Sequence, residues 1–64
     1  MRSYSSREVI KMLTDDGWEF DSQESSHRHY KHPIKKGKVT VTHPKKHVPL
    51  PTLKGIARQS GLKF

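Results

Sequence analysis

Sixty-four residues without a cysteine leave room for one thin-cored domain and exclude disulfides and thiolate metal sites. Thirteen Lys and Arg against six Asp and Glu give a net charge of +7, and no apolar run approaches the roughly 20 residues of a membrane span. The acidic side chains all fall within the first 24 positions, whereas ten of the thirteen cations lie from Ser25 onward. A field of one sign over one part of a domain attracts polyanions, nucleic acid being the commonest.

Met1-Arg2-Ser3-Tyr4 has no hydrophobic signal core behind it, so a soluble cytoplasmic protein is expected. Ser5-Ser6-Arg7-Glu8 reads as a helix start, with Ser5 as cap and Glu8 completing a capping box. Val9, Ile10, Met12 and Leu13 form an apolar stripe at helical spacing. Asp15-Asp16-Gly17 ends it, Gly17 suiting a left-handed stop. Trp18 to Asp21 alternates as a half-buried strand, and Ser22 to Ser26 reads as a polar turn. His27 to His32 is the next extended stretch, closed by Pro33. Lys38 to His43 alternates again and is rich in β-branched residues. A basic loop, residues 43–47, leads to a second helix opened by Pro49, Leu50, Pro51 and Thr52. Leu53, Ile56 and Ala57 form its buried stripe, and Gly61 stops it. One domain over residues 1–64 is expected, with the order αβββα.

Strand side chains alternate between faces. Trp18, Phe20, Tyr30, Val39 and Val41 are expected on a core face covered by both helices. His27, His29, Lys31, Lys38, Thr40 and Thr42 then line an open, polar face. A slip of one residue in the middle strand would reverse its part of this assignment.

Three stretches, in this order, resemble the HicA toxins: Ser25-Ser26-His27-x-x-Tyr30-x-His32-Pro33, Val39-Thr40-Val41-x-His43-Pro44, and Thr52-Leu53-x-x-Ile56-x-x-Gln59-x-Gly61-Leu62. The Gly17-Trp18 pair is also typical of that family. The resemblance implies an α+β fold similar to a double-stranded-RNA-binding domain, a three-stranded antiparallel sheet with two helices on one face. It implies an endoribonuclease that cuts mRNA, neutralised by a HicB-like antitoxin that covers its active surface. The family's catalytic histidine lies in a Gly-Ser-His-x-x-aromatic motif, which places the role on His27. Ser25 stands where glycine is usual, a replacement open to serine only if the backbone there does not need a positive φ.

The cleavage reading rests mainly on this resemblance, and the residues can supply a minimal scheme for it. RNA carries its own nucleophile, the 2′-hydroxyl, so a histidine near its ordinary pKa of about 6.5 can move the proton without metal or cofactor. His27 is the expected general acid or base and His29 an auxiliary. Ser26, Arg28, Lys31, Lys38, Lys45, Lys46, Lys54 and Arg58 are the expected RNA contacts, with Lys45 and Lys46 before the second helix and Lys54 and Arg58 one turn apart on it. His32 suits a structural role, His43 packing near the sheet edge, and His47 a solvated position or a phosphate contact. His27-x-His29-x-x-His32 is not expected to bind metal, because its third member faces away from the first two. Two other readings compete: a non-catalytic double-stranded-RNA-binding module of the same fold, and a small cationic partner of an acidic protein.

Overall fold

The computed structural model describes residues 3–64; Met1 and Arg2, part of the stretch read above for a signal, lie outside it. Helix α1 spans Ser6–Asp15, strands β1, β2 and β3 span Glu19–Glu24, His27–Lys31 and Lys38–Thr42, and helix α2 spans Leu50–Ser60. The sheet is antiparallel in the order β1-β2-β3. Among the described residues no helix is long and apolar enough to cross a membrane.

Both helices form where the local chemistry directs them. The Ser5 hydroxyl accepts the Glu8 N–H and the Glu8 carboxylate accepts the Ser5 N–H, satisfying two of the amides that a helix start leaves free. Gly17 and Gly61 end the two helices with φ of +101° and +78°. Gly17 is required twice over, because a Cβ there would also sit 2.8 Å from the His32 ring. One core joins the helices to the sheet: Val9, Leu13, Trp18, Tyr30, Val39, Val41, Val48, Leu53 and Ile56 are all buried. At about 1.5–3 kcal/mol for each large apolar side chain, this cluster is what keeps so short a chain folded.

His32 is structural, as expected. Its Nδ1 accepts the N–H groups of Ile34 and Lys35, so Nε2 carries the proton and donates to the Asp16 carbonyl at 2.9 Å. Its ring meets Trp18 edge-on. The Lys35 ammonium ties the two helix ends together, donating to the Ser60 carbonyl and lying 2.6 Å from the Asp16 carboxylate. That contact holds the Asp16 carboxyl below the usual carboxylate range, against the opposing effect of its partial desolvation.

The structure corrects β1 in three respects. The strand runs on to Glu24, leaving a two-residue loop, Ser25-Ser26, in place of the longer turn expected from Ser22. The register shifts between Phe20 and Ser22, so Asp21 bulges. Phe20 pairs with Tyr30 and so shares its face, yet is 53% exposed. It lies on the edge strand, and the helix–sheet contacts concentrate on β3.

Candidate active site

The middle strand runs without interruption against β3. His27 lies opposite Thr42, His29 opposite Thr40 and Lys31 opposite Lys38. Opposed residues share a face. Tyr30 is buried on the other face with Val39, so the expected open face is observed with all six residues on it.

His27 stands exposed on that face, and among the described residues its ring has no hydrogen bond or ion pair. His29 is held: Nδ1 lies 2.8 Å from the Thr40 hydroxyl, and Nε2 lies 3.5 Å from a Glu24 carboxylate oxygen. Lys31 and Lys38 converge on Asp21, at 3.7 and 3.5 Å. Two like charges opposite each other would repel, and the carboxylate between them offsets this.

The β1 bulge determines which carboxylates reach this face. Asp21 follows the parity opposite to Phe20, so its side was legible in the sequence. Glu24 shares the even numbering of Trp18 and Phe20 and would belong to the covered face of a regular strand. The extra residue at the bulge reverses that parity, pairing Glu24 with His27 and Ser22 with His29. No signal in the sequence marks the bulge, so Glu24 was missed.

The strand order and the loops distribute the other candidates. Ser26 precedes β2, and its carbonyl accepts the His43 N–H at 2.8 Å. Arg28 pairs with Gln23 and Val41 on the helix-covered face, away from His27. Its guanidinium lies 5.9 Å from the Phe20 ring centre, a cation–π contact worth about 0.5–1 kcal/mol when exposed. Its Nε is buried, with no hydrogen-bond partner among the described residues. Lys45 and Lys46 lie in the loop before α2, while Lys54 and Arg58 are exposed on α2 itself. The structure thus brings His27, His29, Lys31 and Lys38 together and leaves the remaining cations elsewhere.

His43 is half-buried, and its Nδ1 lies 2.8 Å from the Ser6 hydroxyl. His47 pairs with the Ser3 hydroxyl. Among the described residues, no group of three or more His, Asp or Glu is placed to hold a metal ion.

Ser25 has φ of +56°, the only positive value at a non-glycine position among the described residues. The condition under which serine replaces glycine freely, a backbone with no need of positive φ, is therefore not met. A two-residue hairpin loop twisted to match its strands places its first residue in this region, and serine occupies it at a steric cost.

Two helices over one face of an antiparallel sheet, with histidines and cations on the other, define an α+β chain of double-stranded-RNA-binding-domain-like fold. A family model described as "HicA toxin of bacterial toxin-antitoxin" matches residues 6–62. The chain belongs to the HicA toxin family, and a toxin of this kind implies an antitoxin partner. No curated protein matches the chain significantly.

Proposed function

We propose that this chain, acting as a single domain over residues 1–64, is a metal-independent endoribonuclease that cleaves mRNA in the cytoplasm with His27 as the catalytic acid–base. The observation that carries the reading is the position of His27. It is exposed on the open face, two residues from the Thr40-bound His29 and on the face that holds Lys31 and Lys38.

The chemistry follows from RNA itself. His27 takes the proton of a 2′-hydroxyl, the 2′-oxygen bonds to the adjacent phosphorus, and the bond from phosphorus to the 5′-oxygen breaks. The leaving oxygen needs a proton, and His29 is the candidate donor. Lys31 and Lys38, drawn off Asp21 by a phosphate, stabilise the charge on the phosphorane. Ser26, Lys45, Lys46, Lys54 and Arg58 extend the contact with the RNA backbone, and Arg28 reaches it only at the β1 edge. A HicB-like antitoxin neutralises the enzyme by covering the open face, and release of the toxin under stress slows translation.

A cleavage assay of wild type and His27→Ala, each with and without a chelator, tests this reading. Cutting by wild type that survives the chelator and is abolished in the variant is the expected result. The second reading, an RNA-binding module without catalysis, is favoured by one observation: among the described residues no hydrogen bond or ion pair orients the His27 ring. RNA bound but left intact by wild type would establish it.

A further inference from the structure

Beyond the sheet face, the described residues form a cavity of ligand size. It is an open cleft of about 440 Å³ between the start of α1 and residues 43–46, within the range of roughly 300–1,000 Å³ typical of small-ligand sites. Arg7, His43, Lys45 and Lys46 line it, and its lining includes no carboxylate.

Ser6 builds the cleft. It is buried; its N–H donates to the Lys45 carbonyl at 2.9 Å, and its hydroxyl accepts the Lys45 N–H at 2.9 Å. The same hydroxyl bonds His43 Nδ1, leaving Nε2 without a partner among the described residues. These bonds fix the loop against the helix and hold the cations around one hollow.

Among the described residues, Arg7, Lys45 and Lys46 have no carboxylate within ion-pair distance, whereas Lys11, Lys31, Lys35 and Lys38 each lie within 4 Å of an aspartate. Like charges gathered around a concavity attract an anion, and a guanidinium can bind phosphate through two parallel hydrogen bonds. The cleft adjoins the chemistry, because the His43 N–H is bonded to the carbonyl of Ser26, the residue before His27.

We propose that this cleft is a phosphate subsite for the RNA strand, holding a backbone phosphate near the one attacked at His27; the assignment rests on the ribonuclease reading above. A hollow of this size with converging cations fits one nucleotide unit better than the broad, flat surface of a protein interface.

The test uses the full chain and a single-stranded RNA with 2′-O-methyl riboses, which binds but has no free nucleophile. Binding is titrated with salt for wild type, Arg7→Gln/Lys46→Gln and the control Lys63→Gln. The double variant should bind at least ~10-fold more weakly, and its salt slope should fall by roughly 0.7 for each phosphate no longer neutralised. Lys63→Gln should change neither as much. Wild-type affinity and slope in the double variant would overturn the subsite. So would unchanged RNA binding together with weakened affinity for an acidic antitoxin, which would make the cleft a protein-docking site. The two readings fail separately. Wild type that binds methylated RNA through the cleft yet leaves unmodified RNA intact defeats the nuclease and supports the subsite. A double variant that cuts unmodified RNA with unchanged KM defeats the subsite and spares the nuclease.

Discussion

The open sheet face and the α1–loop cleft are both basic, but they manage charge in opposite ways. On the sheet face Asp21 lies between Lys31 and Lys38, and Glu24 lies beside His29. In the cleft Arg7, Lys45 and Lys46 surround a hollow whose lining includes no carboxylate. Built-in carboxylates arrange side chains before a substrate arrives, at the expense of attraction. Free cations attract strongly, but among the described residues no carboxylate orients their side chains before the anion arrives. The difference suits a division of labour in which the face performs the chemistry and the cleft holds the strand.

The largest effect is expected at His27. If the two regions divide the work, His27→Ala should lower kcat by about 10²–10⁴-fold and leave KM close to wild type. The ring is exposed and, among the described residues, makes no hydrogen bond or ion pair, so stability should change by no more than about 0.5 kcal/mol. His29→Ala should cost less in kcat, since its proposed role is auxiliary. Steady-state kinetics on a short RNA separates these terms. A His27→Ala defect confined to KM would dissolve the division between face and cleft.

Ser6→Ala probes the cleft from below. It leaves the Lys45 amide and the His43 ring without their shared partner in a part-buried position, at a cost of about 1–3 kcal/mol. For a domain of this size the melting temperature should fall by roughly 4–8 °C for each kcal/mol. RNA binding should weaken as the loop loosens, whereas substitutions on the sheet face should leave the melting temperature nearly unchanged. Thermal denaturation followed by circular dichroism measures this, and an unchanged melting temperature would show that Ser6 does not hold the loop.

Ser25→Gly acts in the opposite direction. Glycine adopts φ of +56° without the steric cost that serine bears. It also gains freedom in the unfolded chain, so the net stabilisation should be at most about 1 kcal/mol. Denaturant titration should show a raised midpoint. Activity should be maintained, because the β1–β2 turn that delivers His27 keeps its shape.

How much of this was legible depends on the range of the interactions. Caps and stops are local, and Ser5, Glu8, Gly17 and Gly61 marked them correctly. Parity is also local where strands are regular, so Tyr30, Val39 and Val41 located the core and His27 the open face. The bulge at Asp21 has no glycine to mark it, and it moved Glu24 across the sheet. Arg28 follows the parity of Tyr30, and its placement among the RNA contacts rested on charge rather than on face. Ser6 left a faint trace, standing three residues before Val9 on the buried stripe, but its partners His43 and Lys45 lie 37 and 39 residues away. The cleft therefore could not be read without the fold, whereas the face could.

The smallest expected effect sharpens the comparison most directly. Asp21→Asn removes the carboxylate shared by Lys31 and Lys38 and makes the sheet face resemble the cleft. The two lysines are exposed, Asp21 is half-buried, and each ion pair is worth about 0–1 kcal/mol, so stability should fall by about 1 kcal/mol or less. Binding of methylated RNA should tighten by roughly 2–5-fold, since 1.4 kcal/mol corresponds to tenfold. Its salt dependence should steepen as the freed lysines meet phosphate. kcat should not rise with affinity, because the two lysines lose the carboxylate that positioned them. If kcat instead rose in step with binding, the carboxylate would be a brake on the face rather than part of its arrangement, and the contrast with the cleft would be one of degree.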